Sequence, residues 1–403
     1  MNLGKRVRFA PSPTGMLHLG GLRTALFNYL YARSTGREMI LRIEDTDKAR
    51  TVPGAMEDIM ETLKWAGINY DFGPDKADTS GPFIQSQRLE TYKKYSQHLV
   101  SAGKAFVDSG SVRFKRTGKG FNFRDSVYGE VPASADMQRD DPVIIKSDGF
   151  PTYHFANVVD DHLMDVGLVM RGMEWIPSTS LHLDLYEAMQ WQPPQFAHLP
   201  LLIKRDGSKL SKRQKDAFVE YYRKTKDVLP SALTNFIAQL GWTPLIGQQE
   251  KVEEENEEKM QEVMEMGKMI ERFRLEDLNK SAAMVDEDKL MWFNRKHLPK
   301  ASVELALRTG HSEQYCKEVL QCMRDRADTL TNLLLKAPYF FDDSMPTLLD
   351  EFEGHDIQIL VKGIKDKKAF RMELTGSTVG PPLSDLIRVL LLKRTNITKS
   401  KAI

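Results

Sequence analysis

Four stretches of this chain carry residue types whose spacing suits chemistry on phosphate and carboxylate groups. The first runs Arg8-Phe9-Ala10-Pro11-Ser12-Pro13-Thr14-Gly15 and continues into His18-Leu19-Gly20-Gly21. A short strand, a proline-stiffened turn and a glycine-flanked helix start are the parts of an anion site, because the free amides and positive end of the helix face a ligand there. Glycines at 20 and 21 admit close approach to the backbone. His18 can donate a hydrogen bond to a phosphate oxygen as charge develops on it. An ordinary strand–helix turn with a surface histidine is the plainer alternative, and the whole preceding run disfavours it. The second stretch, Arg42-Ile43-Glu44-Asp45-Thr46-Asp47 with Arg50, sets carboxylates close together at the end of a strand. Such a group is costly unless each member has a partner. Glu44 alternates with Ile43 and would point into a cleft at the strand's C-terminal end, where it could hold a substrate ammonium. Asp47 and Arg50 read better as a helix cap and structural ion pairs.

The third stretch joins Tyr153-His154-Phe155-Ala156-Asn157-Val158-Val159-Asp160-Asp161-His162 to Arg171-Gly172-Met173-Glu174-Trp175. Tyr153 and Asn157 offer neutral hydrogen-bonding groups, and Arg171 a planar fork suited to a carboxylate. His154, Asp160, Asp161 and His162 have the chemistry of metal ligands, but no further spaced ligand set accompanies them and no metal site is expected. The fourth stretch, Lys204 to Lys215, has six basic residues in twelve, with Gly207 for flexibility. Lys209 and Lys212 could clamp a triphosphate and follow its charge during displacement. A basic loop touching RNA phosphates fits the same composition equally.

The elements that must position these groups follow from pattern. Val7–Ala10 is a short strand, Leu19–Ser34 an apolar-faced helix that Gly36 stops, and Met39–Ile43 the next strand. That order suggests a parallel α/β unit. Val143–Ile145 and Val166–Met170 look like strands, Ser178–Trp191 a helix, and Phe196–Ile203 a strand entering the basic loop. Beyond about residue 220 amphipathic helices dominate, including Leu229–Leu240, Glu318–Leu335 and Leu383–Leu392. The run Glu250–Glu258 holds six glutamates and reads as a solvated helix face or linker.

Composition sets the outer limits. The 403 residues suit about two to four domains. Basic residues number 57 against 56 acidic, which excludes a histone-like basic coat but not a local RNA-binding patch. Two cysteines, Cys316 and Cys322, exclude a disulfide scaffold and a four-cysteine zinc site. No apolar run is long enough for a transmembrane helix, and no secretory signal or organellar presequence is expected in the stretch from Met1.

Taken together, the motifs resemble the class I aminoacyl-tRNA synthetases, specifically the glutamyl-tRNA synthetases of bacterial and organellar type, with the mitochondrial enzymes nearest. His18-Leu19-Gly20-Gly21 is similar to the first signature of that class, and Lys209-Leu210-Ser211-Lys212-Arg213 to the second. The Glu44 motif and the Tyr153–Trp175 block follow the glutamyl pattern. The likeness is strong over residues 5–245 and weak in the helical remainder. It implies an α/β Rossmann-like catalytic domain (1–100 and 178–220) with an inserted, shortened connective domain (101–177). An α-helical C-terminal half would follow, with a stem-contact region (221–300) and an anticodon-binding region (301–403). It implies ligation of L-glutamate to tRNA(Glu) through a glutamyl-adenylate, with ATP as co-substrate, Mg²⁺ accompanying ATP and no bound zinc. A monomer in the mitochondrial matrix is the family expectation, a bacterial-type cytoplasmic enzyme the alternative.

Roles follow by position. The resemblance gives Arg8 and Tyr153 the substrate's side-chain carboxylate, Glu44 and Ser12 its ammonium, and Asn157 and Arg171 the remaining carboxylate contacts. Phe9, Ala10, His154, Phe155 and Ala156 would complete the glutamate pocket. His18, Gly20, Gly21, Glu174 and Lys209, Leu210, Ser211, Lys212 and Arg213 would bind ATP, with His18 and Lys212 stabilising the pentavalent transition state. One departure stands out. Between Phe106 and Val112 the family carries a long acceptor-binding insertion with a Cys-x-Cys element, whereas this chain has Val107-Asp108-Ser109-Gly110-Ser111. The basic tail after Lys393 also departs. The competing functions are an RNA-binding pseudoenzyme, a relative that glutamylates a modified tRNA base, and a small-molecule nucleotidylyltransferase. The intact second signature and the helical half count against the base-modifying relative.

Overall fold

Short apolar runs at the N-terminus become parallel strands buried on both faces, as continuous rather than alternating hydrophobicity requires. In a computed structural model of the chain, β1 (Arg6–Phe9), α1 (Leu19–Thr35) and β2 (Glu38–Leu41) form a strand–helix–strand unit with β1 parallel to β2. The structure describes residues 4–133, 140–208, 210, 217–244, 263–342 and 346–401, with side chains as far as Arg394. The acidic run 250–258 and Lys209, Ser211, Lys212 and Arg213 lie outside those residues. Helix α1 starts at His18, whose ring caps it, and stops at Gly36 in the left-handed region, φ 66°.

After α2 (Ala55–Trp65) and α3 (Leu89–Ser101), β3 (Ala105–Asp108) and β4 (Ser111–Phe114) form a hairpin. A second hairpin is β5 (Phe123–Asp125) with β6 (Gly129–Val131). Then come β7 (Val143–Ile145), α4 (Tyr153–Leu163), β8 (Val166–Gly172), α5 (Ile176–Ala188), β9 (Gln195–Leu199) and β10 (Leu202–Ile203). The main sheet runs β2-β1-β8-β9-β5-β6, parallel except for β6. Strand β1 lies between β2 and β8, so connections leave it in opposite directions along the sheet. The crevice beyond the carboxyl ends of β1 and β8 is the topological switch point, where such sheets bind ligands.

Several boundaries differ from the sequence expectation. Residues 101–177 are not one inserted body: β5, β6 and β8 belong to the main sheet, and β3, β4 and β7 form a separate antiparallel layer. The apolar run from Val166 is buried on both sides, which suits the sheet centre. The strand expected over Phe196–Ile203 breaks after Leu199, because Pro200 has no amide for the ladder. The helix expected over Glu318–Leu335 is two, Glu313–Cys322 and Leu330–Lys336, with Asp325 at φ 62° between them and the Thr329 cap restarting the second. The five-residue link after Phe106 closes as a two-residue turn. Ser109 and Gly110 have φ 49° and 80°, and Asp108 pairs with Ser111, as a primed hairpin turn requires.

The contacts divide the chain into two units, Met1–Tyr221 with Thr234–Asp286, and Tyr222–Leu233 with Glu287–Ile403. In the first, Phe114, Ile144, Phe155, Val159 and Leu185 belong to one apolar cluster, and Ile40, Phe83, Val169 and Phe196 to another. Helix α6 (Pro230–Ala238) carries the chain across the boundary, α7 (Met266–Arg272) follows, and β11 (Ala283–Met284) pairs with β10. The second unit is helical: α8 (Glu287–His297), α9 (Ser302–Thr309), α10 (Glu313–Cys322), α11 (Leu330–Lys336), α12 (Ile357–Gly363), α13 (Lys367–Thr375) and α14 (Leu383–Lys401). Leu305, Val319, Leu330 and Leu386 are among its fully buried residues.

Candidate active site

The switch-point crevice is a cleft of about 1160 Å³, above the roughly 300–1,000 Å³ of a site for one small molecule. At one end β1 supplies Arg8, the segment after β2 supplies Glu44, α4 supplies Tyr153 and Asn157, and β8 supplies Arg171. Tyr153 and Asn157 lie one helical turn apart, so α4 presents both on one face. The next turn of α4 anchors the arginines. Asp161 Oδ1 accepts from Arg8 Nε at 3.1 Å and from Arg42 Nη1 at 2.7 Å. Asp160 accepts from Arg88, Gln85 and the Tyr92 hydroxyl. The acidic pair that invited a metal assignment is therefore occupied by cations and donors of the fold. No cluster of potential metal ligands occurs among the described residues.

Glu44 Oε1 accepts from Arg42 Nη2 and Asn157 Nδ2, both at 3.0 Å. Burial pushes the Glu44 carboxyl above its ordinary range, against the pull of Arg42 and Arg8. A further cation beside it would stabilise the charged form. Asn157 Oδ1 is buried with no partner, an acceptor that a ligand N–H would satisfy. Asp161 behaves oppositely: burial raises it, but Arg8 and Arg42 outweigh that and hold it below the usual carboxylate range. Arg171 has only neutral partners. Its Nε donates to His198 Nε2 at 3.1 Å and its Nη2 to Thr179 Oγ1 at 2.9 Å. Longer contacts of 3.4 Å reach the Tyr153 hydroxyl and His182. The cleft end thus holds two buried guanidiniums near a carboxylate, a combination suited to an amino acid with more than one carboxylate.

The other end is built from the start of α1. The Gly21 amide donates to His18 Nδ1 at 3.1 Å, which leaves the proton of the neutral ring on Nε2. The amide expected to be free for an anion is thus engaged by His18. A side chain at Gly21 would meet Leu17 Cδ1 at 2.8 Å, so glycine here serves the turn as well as any ligand. Gly20, Glu174 and Arg23 line the same end. Burial lowers Arg23 to about 10. The second-signature loop is described only at Leu210, which lines the cleft. Ala217 and Phe218 line it too, and Phe218 bridges to His18. Leu210, which follows Lys209, and Ala217 and Phe218, which follow Lys212, therefore reach the cleft that His18 lines.

Phe9, Ala10 and Ser12 line the cleft. His154, Phe155 and Ala156, expected in the glutamate pocket, are not among the residues that line the cleft. Phe155 and Ala156 are fully buried in the apolar cluster, because they lie off the Tyr153–Asn157 face of α4. His154 Nδ1 lies 3.0 Å from His182 Nε2. Sequence reasoning missed His198, Asp125, Thr179 and His182 around Arg171. They come from β9, β5 and α5, and no local motif links them.

A family model described as tRNA synthetases class I (E and Q), catalytic domain, matches residues 5–111 and 108–292. Its two segments meet at the Asp108–Ser111 turn. A mitochondrial glutamate–tRNA ligase of Schizosaccharomyces pombe is 36% identical, covering 96% of this chain and 88% of its own. That alignment runs over 480 positions, more than the 403 residues here, so the relative has residues with no counterpart. A glutamate–tRNA ligase of Chlorobium phaeobacteroides is 38% identical over 84% of this chain and 79% of its own. Among solved structures, a glutamate tRNA ligase from Elizabethkingia meningosepticum in complex with its amino acid superposes with TM-score 0.75 at 30% identity, covering 98% of both chains.

Proposed function

This chain belongs to the class I tRNA synthetases for glutamate and glutamine, and from that premise we propose that it is a glutamate–tRNA ligase acting on L-glutamate, ATP and tRNA(Glu). One observation carries the proposal: a cleft lined by Arg8, Tyr153, Asn157 and Arg171 beside Glu44 continues into the His18-Gly20-Gly21 helix start and Glu174. An acid-binding pocket and a nucleotide-binding turn share one wall.

In the first step an α-carboxylate oxygen of glutamate attacks the α-phosphorus of ATP. The bond to the β-phosphate oxygen breaks and pyrophosphate leaves. Arg8 with Tyr153 holds the side-chain carboxylate. Glu44 and Ser12 hold the ammonium, with Asn157 Oδ1 as a further acceptor. Arg171 and Asn157 orient the reacting carboxylate. His18 Nε2–H and Lys212 donate to the phosphate oxygens as charge builds there, with Gly20, Gly21, Glu174, Lys209, Leu210, Ser211 and Arg213 around the nucleotide. In the second step the terminal 2′-hydroxyl of the tRNA attacks the acyl carbon, loses its proton, and AMP departs. Mg²⁺ would come with ATP and supply counter-charge to its phosphates. Glutamine is rejected because a buried arginine facing a neutral amide loses its counter-charge, at a cost of roughly 3–5 kcal/mol.

Residues 301–403 are the anticodon-reading part, and residues 221–300 contact the tRNA stem. The enzyme acts as a monomer in the mitochondrial matrix, like its S. pombe relative in organelle. No helix among the described residues is long and apolar enough to cross a membrane. The test is glutamate-dependent ATP–pyrophosphate exchange with and without tRNA(Glu), followed by charging. Exchange and charging are expected. RNA binding with neither would sink the proposal.

A further inference from the structure

Arg171 is buried, yet among the described residues no carboxylate hydrogen-bonds to it: its partners are His198, Thr179, Tyr153, His182 and the Trp175 carbonyl. The nearest counter-charge on this path stands one ring away. Asp125 Oδ2 lies 2.6 Å from His198 Nδ1 and also accepts the His198 amide at 3.1 Å. Asp125 Oδ1 accepts the amides of Val127 and Tyr128, both at 2.9 Å. Both His198 and Asp125 side chains are fully buried.

The protons of this chain of contacts are determined by chemistry. A guanidinium donates and cannot accept. His198 Nε2 facing Arg171 Nε must therefore be the acceptor, which puts the ring proton on Nδ1, toward Asp125. The carboxylate selects that tautomer. Burial keeps the ring neutral, with Asp125 pulling the other way. We infer that Asp125 and His198 are positioning residues that orient the Arg171 guanidinium for the substrate carboxylate. A carboxylate bound directly to Arg171 would compete with the substrate's own. Set behind an imidazole, Asp125 fixes the ring without contacting Arg171, Asp161 supplies counter-charge that raises the guanidinium against the lowering by burial, and Arg171 keeps its Tyr153-facing nitrogen for the substrate. Asp125 lies on β5, His198 on β9 and Arg171 on β8, neighbouring strands of one sheet, so the alignment is rigid.

This inference rests on the assignment of Arg171 to the glutamate pocket, and the test separates the two. In the full-length enzyme, KM for glutamate, KM for ATP and kcat are measured in ATP–pyrophosphate exchange, beside the melting temperature. His198→Phe keeps the ring shape but removes the acceptor. It should raise the glutamate KM roughly 10–100-fold, the loss of one hydrogen bond to a charged group, with the ATP KM unchanged. His198→Gln keeps an amide acceptor and should recover most of that loss. Asp125→Asn should resemble His198→Phe alone and add nothing to it in the double variant. Glutamate KM unchanged in His198→Phe, additive single effects, or equal loss for both substrates would overturn the relay. If His198→Phe does not fold, the comparison is made between His198→Gln and Asp125→Asn, where equal glutamate KM values at wild-type level overturn it. Arg171→Ala is the control: a normal glutamate KM there would refute the pocket assignment itself, whereas a raised one with normal His198 variants refutes only the relay.

Discussion

Arg8 and Arg171 sit in one cleft but are held in different ways. Arg8 has a carboxylate partner, Asp161, that also binds Arg42, so its position survives an empty pocket. Arg8→Ala should raise the glutamate KM by roughly 30-fold or more, the usual loss from one side of a buried charge contact, and relax rejection of glutamine. Exchange kinetics with both amino acids check it, and a change confined to ATP would count against the assignment. The histidines behind Arg171 make a second prediction. Burial lowers His154 to about 4, and burial with Arg171 and His154 puts His182 well below the ordinary value. A histidine pKa depressed by folding means that the unfolded chain binds more protons between the two values. The stabilisation is complete above about pH 6.5 and is lost as pH falls toward 4. For His154 alone the loss at pH 5 is about 2 kcal/mol. Thermal melting from pH 7.5 to 5 should show the decline, and His154→Gln should shrink it.

Among the elements, the β3–β4 hairpin stands where the two matched segments of the family model meet. It is a finished turn, with paired ends and an Asp108–Arg113 ion pair at 2.7 Å across it. Gly110 at φ 80° needs the freedom of glycine. Gly110→Val should therefore cost about 1–2 kcal/mol, read as a lower melting temperature, while glutamate-dependent exchange stays unchanged because the hairpin does not line the cleft. The loop 209–213 makes the opposite prediction: Lys212→Ala should slow exchange by roughly 10²–10³ without altering stability or RNA affinity. An unchanged exchange rate would remove the loop from the mechanism. Helix limits were legible where a local signal marks them. Gly36 ended α1 as expected. The break between α10 and α11 was not legible, since the apolar spacing runs on past Cys322, where the helix ends and the left-handed Asp325 follows.

At the scale of the whole molecule the charge is nearly balanced, 57 basic against 56 acidic residues, so RNA affinity has to come from local patches. tRNA(Glu) binding should still weaken with salt, roughly tenfold or more between about 50 and 200 mM, because each phosphate contact releases a counterion. Filter binding across that range checks it, and a flat response would argue against a tRNA partner.

The sequence alone determined the chemistry on offer: the helix start at His18, the carboxylate at Glu44, the Tyr153–Asn157 pair and the Arg171 fork each sit within a few residues of their own signal, because local backbone geometry places them. Whether those groups meet was decided by the sheet. Strand order set Arg8 beside Arg171 across 163 positions of chain, and helical phase turned Phe155 and Ala156 into core. The contact from Asp125 through His198 to Arg171 exists only because β5, β9 and β8 are neighbours. Long-range strand pairing follows from packing the whole set of apolar faces at once, and no single segment carries that information.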